Sequence, residues 1–192
     1  KKLSALRSGN ISVRHNNGFL ITPSGKKYSS LKVKDIVFVS LDGKYEKKYK
    51  PSSEWRFHQD IYIKKKDAQA IVHTHSTNAT ALSVHKKPIP AFHYMVALAG
   101  GNDIKCAKYA TYGTRELSKN ILKALNNRKA CLIANHGQIA FDNNLPDAFE
   151  LAQEVENLSL QYITALKLGK PKILSINEMN KVLKKAKNYK RG

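Results

Sequence analysis

The stretch PSSEWRFHQDIYIKKKDAQAIVHTH, residues 51–75, is the part of the chain from which the rest can be read. Trp55, His58, Ile61 and Tyr62 recur at three-to-four-residue spacing, the period of one helix face, so a helix is expected over residues 53–64. Ser52 or Ser53 is its natural N-cap, since a hydroxyl there can accept from a free backbone N–H. The run Ala70-Ile71-Val72 then reads as a buried strand that ends in His73 and His75. Side chains two apart on a strand share a face, so the two imidazoles stand side by side while Thr74 points away.

A third histidine, His136, interrupts a second apolar run, CLIANHGQIA, at Asn135-His136-Gly137. Neutral imidazoles at dry strand ends suit zinc or a similar divalent ion, and catalytic zinc keeps three protein ligands with one position open. Glu54 can serve as a fourth ligand, as a base displaced when substrate arrives, or as a first-turn carboxylate complementing the helix dipole. Ser52 and Ser53 sit where the N–H groups of a helix start are free, a natural place for phosphate. The Ser24-Gly25 turn offers backbone donors of the same kind. His15 and His85 read as solvated, His93 as structural, and His58 as a core histidine or a partner of Glu54, whose helix face it shares.

Composition narrows the function classes. The chain has 192 residues, 42% hydrophobic and 25% charged, ordinary for a globular protein able to bury a real core. Lys and Arg number 34 against 14 Asp and Glu, a formal net charge of +20. That balance first suggests nucleic acid, but the lysines form short dispersed runs without a zinc-finger, RNA-recognition or helix-turn-helix signature. A Lys-rich surface acting on anionic substrates is the simpler reading, and no nucleic-acid partner is expected. No apolar run approaches the ~20 residues of a membrane span, and no signal-peptide pattern opens the sequence. Cys106 and Cys131 lack CxxC spacing and need not pair, which suits the cytoplasm.

Along the chain, Asn16-Asn17-Gly18 joins two strands around Ile11–Val13 and residues 19–21. A strand over residues 36–41 follows, with residues 44–50 as its expected returning partner. Residues 91–101 are apolar and expected to be buried. Helices are expected over residues 77–85 and 114–126, and from Pro146 with Phe149, Val155, Leu158, Tyr162 and Leu166 inward. A final helix starts at the capping box Ser175 to Glu178, and residues 187–192 are expected to be a mobile tail. Hairpins mixed with helices predict an α/β domain, a mixed sheet covered by helices.

Taken together, SGNISVR, LITPSG, PSSEWRFH, AIVHTH, IPAFHYMVALAGG, CAKYATYGTREL and ANHGQIA occur in the order and approximate spacing of the class II sugar-phosphate aldolases. The resemblance covers nearly the whole chain. PSSEWRFH and HYMVALAGG are specific to the aldolase branch, while HxH and the later HG are shared with the epimerases and adducin heads of the superfamily. It implies one three-layer domain over residues 1–192, with a central mixed, largely antiparallel sheet flanked by helices. It implies Zn2+, one per subunit, on His73, His75 and His136 with Glu54, and a phosphate pocket of Asn10, Ser24, Gly25, Ser52 and Ser53.

By the same resemblance, Glu54, Tyr94 and Tyr189 are catalytic, Tyr94 reaching in from a neighbouring subunit of a homotetramer, and Tyr112 lies near the aldehyde site. The implied reaction is reversible cleavage of a ketose 1-phosphate, L-fuculose 1-phosphate first, to dihydroxyacetone phosphate and an aldehyde. A related deoxy- or methylthio-ketose 1-phosphate and a pentulose-phosphate 4-epimerase are the enzymatic alternatives. A non-catalytic adducin-like module is the other class, though adducin heads lack the metal histidines that this chain retains. Two departures from the family pattern stand out. The segment before SGN, a leading helix in the family, is almost wholly missing, and Arg7-Ser8 replace smaller residues before Gly9-Asn10.

Overall fold

The structure, a computed structural model, describes Leu3 and residues 7–189, with side chains up to residue 186. Its strands are β1 (Asn10–His15), β2 (Gly18–Ile21), β3 (Val37–Ser40), β4 (Ala70–Thr74), β5 (Ile89–Pro90), β6 (Asp103–Ile104), β7 (Cys106–Ala107), β8 (Ala130–Ile133) and β9 (Gly137–Asp142). The α-helices are α1 (Trp55–Lys64), α2 (Thr77–Ser83), α3 (Arg115–Ala124), α4 (Leu145–Lys167) and α5 (Ile176–Tyr189). Seven strands form one sheet in the order β3-β2-β1-β4-β9-β8-β7, and β5 pairs with β6 separately. Within the large sheet β7–β8 is parallel and the other pairs are antiparallel.

Both faces of the sheet are covered, so its central strands are near-continuous apolar runs rather than alternating ones. On one face α1 and α3 bury Phe57, Ile61, Tyr62, Leu117 and Ile121 against Phe19, Ile71, Ile139 and Phe141. On the other, α2 and α4 bury Ala79, Leu151, Val155 and Leu158 against Ala70, Val72, Leu132 and Ala140. The expected mixed three-layer architecture is therefore the one observed. Cys106 and Cys131 are free thiols.

Several local expectations are corrected. Residues 44–50 form turns rather than a strand returning along β3. The chain reaches α1 through a short bridge between Pro23 and Pro51. Glu54, not a serine, occupies the N-cap position of α1. Residues 94–99 form a 3-10 helix in which Val96, Ala97 and Ala99 are buried but Tyr94 is 56% exposed. Leu166 of α4 is exposed, because the buried stripe of this helix ends at Ser159. Helix α5 runs on to Tyr189.

Candidate metal centre and anion pocket

Three pieces of the fold converge at one end of the sheet. β4 delivers His73 and continues to His75, and the β8–β9 turn delivers His136. Asn135 in that turn has φ 55°, a left-handed conformation that asparagine tolerates better than most residues. Gly137 follows, where a Cβ would lie 2.3 Å from the carbonyl oxygen of Thr74. Only a residue without a side chain lets this turn pack against the end of β4. Glu54 enters from the start of α1, across the face that carries His73.

The ligand atoms of Glu54, His73, His75 and His136 all lie within 4.8 Å of one another. The Nε2 atoms of His73 and His75 are 3.1 Å apart. Glu54 Oε2 lies 3.2 Å from His73 Nε2, and Oε1 lies 3.2 Å from His136 Nε2. His73 Nδ1 donates to the Gln138 carbonyl at 2.8 Å, which turns its Nε2 toward the cluster. Burial, then the neighbouring His73 and His136, push the His75 imidazole down to about 4, so it is neutral at ordinary pH. Burial alone would raise the Glu54 carboxyl, but His73 and His136 outweigh it and hold Glu54 well below the usual carboxylate range.

These residues fit a divalent cation. Glu54 Oε1 is buried with no well-aligned hydrogen-bond partner, facing His136 Nε2 at 3.2 Å. Atoms sharing a tetrahedral zinc ion at about 2.0–2.1 Å lie ~3.3 Å from one another, close to the His73–His75, Glu54–His73 and Glu54–His136 separations. Three imidazoles and one carboxylate are a borderline donor set that suits zinc.

Beside the cluster opens a cavity of about 350 Å³ lined by Asn10, Ser24, Gly25, Ser52, Ser53 and Tyr112, together with Glu54, His75 and His136. Asn10 Nδ2 donates to Ser52 Oγ (2.9 Å) and to Glu54 Oε2 (3.0 Å), joining the hydroxyl-lined wall to the carboxylate. The structure therefore brings together every expected pocket residue and every expected ligand. Tyr94 is not among the lining residues. It borders a separate apolar depression with Met95, Leu98, Leu151 and Val182. The side chain of Tyr189 lies outside the described residues.

Sequence reasoning missed Arg7, Tyr109 and Asn135 as lining residues. Asn135 and Tyr109 sit in motifs already singled out, NHG and CAKYATYG. Arg7 was visible only as a departure before Gly9. His58 is fully buried, a core histidine as considered, and its link to Glu54 runs only through Asn10. His93 is structural as expected, accepting from the backbone N–H of Met95.

Residues 1–163 match the family described as Class II Aldolase and Adducin N-terminal domain. The chain belongs to the class II aldolase family. It is 52% identical over 182 residues to the 5-methylthioribulose-1-phosphate/5-deoxyribulose-1-phosphate aldolase of Rhodospirillum rubrum, covering 95% of this chain and 82% of that one. It is 50% identical over 183 residues to the L-fuculose phosphate aldolase of Escherichia coli K12, covering 95% and 85%. Among solved structures, an L-fuculose 1-phosphate aldolase superposes with a TM-score of 0.93 at 41% identity, covering 97% of this chain and 89% of that one. This class II aldolase fold thus carries its donor cluster where the end of a central strand, a tight turn and a helix start meet.

Proposed function

We propose that this protein is a zinc-dependent aldolase that reversibly cleaves a ketose 1-phosphate, L-fuculose 1-phosphate first, to dihydroxyacetone phosphate and an aldehyde, L-lactaldehyde in that case. The observation that carries the reading is one charged cluster, Glu54 with three histidines, on the rim of a hydroxyl- and amide-lined cavity. His73, His75, His136 and, in the resting site, Glu54 would hold the ion. When bound it supplies a Lewis acid that polarises the ketose carbonyl and stabilises the enediolate charge.

The chain's own groups do the rest. Ser24, Gly25, Ser52 and Ser53 present hydroxyl and backbone N–H groups to the phosphate, and Asn10, whose two N–H groups serve Ser52 and Glu54, orients that wall of the pocket. Glu54, ionised and within a few ångströms of the donor cluster, takes the proton from the hydroxyl-bearing carbon of dihydroxyacetone phosphate in the synthetic direction. It returns the proton to that carbon after the carbon–carbon bond breaks in cleavage. Tyr94, exposed and outside the cavity of its own chain, serves a second copy of the protein, exchanging a proton with the aldehyde oxygen in a homotetramer with shared sites. Tyr112, exposed at the cavity mouth, flanks the aldehyde. Two free thiols suit a reducing cytoplasm.

A second substrate reading rests on the 52% identity to a methylthioribulose/deoxyribulose-phosphate aldolase. The two share the phosphate and carbonyl half of the substrate and differ in the aldehyde. A screen of aldehydes with dihydroxyacetone phosphate, on wild type and Glu54→Gln with and without chelator, tests both. Turnover confined to L-lactaldehyde supports the first, and turnover confined to unbranched or methylthio-substituted aldehydes the second. Turnover that survives chelation contradicts the metal mechanism, and sugar epimerisation without release of dihydroxyacetone phosphate contradicts the aldolase.

A further inference from the structure

A polar seam runs inward from the cavity between β1 and α1. Glu54, His58 and Tyr62 are spaced four apart at the start and along the inner face of α1. Asn10, Ser12 and Arg14 are spaced two apart on β1. Four residues of helix advance ~6.0 Å and two residues of strand ~6.7 Å, so the two rows meet rung for rung. Each rung is bonded. Asn10 reaches Glu54, Ser12 Oγ lies 2.7 Å from His58 Nδ1 and 2.8 Å from Tyr62 Oη, and Arg14 donates to the Tyr62 carbonyl at 2.8 Å. His58 Nε2 lies 2.5 Å from Asn10 Oδ1, and its ring is stacked on Phe57 at 4.8 Å.

The direction of these bonds is determined. The Glu54 carboxylate can only accept, so the NH2 group of Asn10 must face it and the amide oxygen must face His58. His58 Nε2 therefore carries a proton, and Nδ1 accepts from Ser12, whose oxygen in turn accepts from the Tyr62 hydroxyl. This requires a neutral imidazole with one fixed tautomer. Burial, with His73 nearby, holds His58 in that state by pushing it down to about 3. Asparagine cannot pass a proton along such a chain, so the seam orients groups and does not conduct.

We propose that His58 is a positioning residue that locks the side-chain amide of Asn10 with its N–H groups toward Ser52 and Glu54. Without that lock only the bonds to Ser52 and Glu54 oppose turning the amide over. Its carbonyl oxygen would then face the Glu54 carboxylate and an arriving phosphate, both negative. The inference rests on the proposed roles of Glu54 and the anion pocket.

His58→Asn, His58→Gln and Ser12→Ala test it in zinc-loaded protein. Glutamine reaches the position of Nε2 and keeps a donor for Asn10, whereas asparagine reaches only the position of Nδ1. Inorganic phosphate binding by calorimetry and the kcat and KM of ketose 1-phosphate cleavage are the readouts, with bound metal and thermal unfolding as controls. His58→Asn should weaken phosphate about tenfold and lower kcat/KM by at least as much, the scale of one lost bond to a charged group. His58→Gln should stay within about threefold of wild type on both, by the same scale. Ser12 does not line the cavity, so an intermediate loss in Ser12→Ala reads the tautomer directly, and carries the test if His58→Asn does not fold. Equal losses in Asn and Gln variants, or wild-type phosphate binding in both His58→Asn and Ser12→Ala, would overturn the lock. If wild type cleaves no ketose 1-phosphate while His58→Asn still loses phosphate, the aldolase reading falls and the lock stands.

Discussion

Gly137 shows how narrowly the donor cluster is built. Its missing side chain lets the carbonyl of Thr74 and the Cα of His75 close on the turn that carries His136. Gly137→Ala must push this turn outward by moving backbone, and His136 moves with it. The expected outcome is a loss of zinc affinity of about 10- to 100-fold, the scale seen when supports of a metal ligand are disturbed. Competition with a chromophoric chelator measures it, and unchanged affinity would mean that the turn adapts. Glu54→Gln should lower kcat by about 10²- to 10⁴-fold, the range for a lost proton-transfer group. Steady-state assay at saturating metal separates that loss from weakened metal binding. At this scale the sequence was readable because strand period and histidine spacing fix which rings are neighbours. It did not reveal that Asn10, rather than a capping serine, holds Glu54, since that bond spans 44 positions.

At the scale of elements, α2 depends on its neighbour. The Ser76 hydroxyl, at the N-cap, makes no capping bond and instead accepts from Gln138 at 2.9 Å. Glu156 on α4 caps the helix, accepting from the backbone N–H groups of Asn78 and Ala79 at 2.9 Å each and from Asn78 Nδ2 at 2.8 Å. Glu156→Ala should cost about 2 kcal/mol, the scale of losing charge-assisted bonds at a helix start. A lower urea midpoint with unchanged metal affinity is the predicted result, and an unchanged midpoint would refute it. Helices α1 and α3 were legible from their apolar period, and the β1–β2 hairpin from Asn16-Asn17-Gly18. Residues 44–50 misled because Asp42-Gly43 reads as a hairpin turn, yet after the Ser40–Lys44 bond the segment folds on itself, the Tyr49 N–H donating to the Glu46 carbonyl, instead of running along β3. Leu166 misled because helix period alone does not say where a long helix leaves the sheet.

Over the whole molecule, the net charge of +20 accompanies a cavity lined by neutral donors, Arg7 and one buried carboxylate. Such a field gathers anions without choosing among them. For a phosphorylated substrate, kcat/KM should fall roughly tenfold between ~10 mM and ~300 mM salt as the field is screened, while kcat changes little. A flat salt profile would show that the charge serves something else. Architecture was legible as a covered mixed sheet, but strand order was not, because pairings such as β4 with β9 join segments with no local pattern in common.

The central claim is that Glu54, His73, His75 and His136 act as one metal site. Elemental analysis of chelator-stripped protein reloaded with zinc tests it most directly, on wild type and on His75→Ala. The account predicts one tightly held zinc ion per chain in wild type and its loss through gel filtration in the variant. A wild type that retains no zinc, or a variant that retains it fully, would contradict the account.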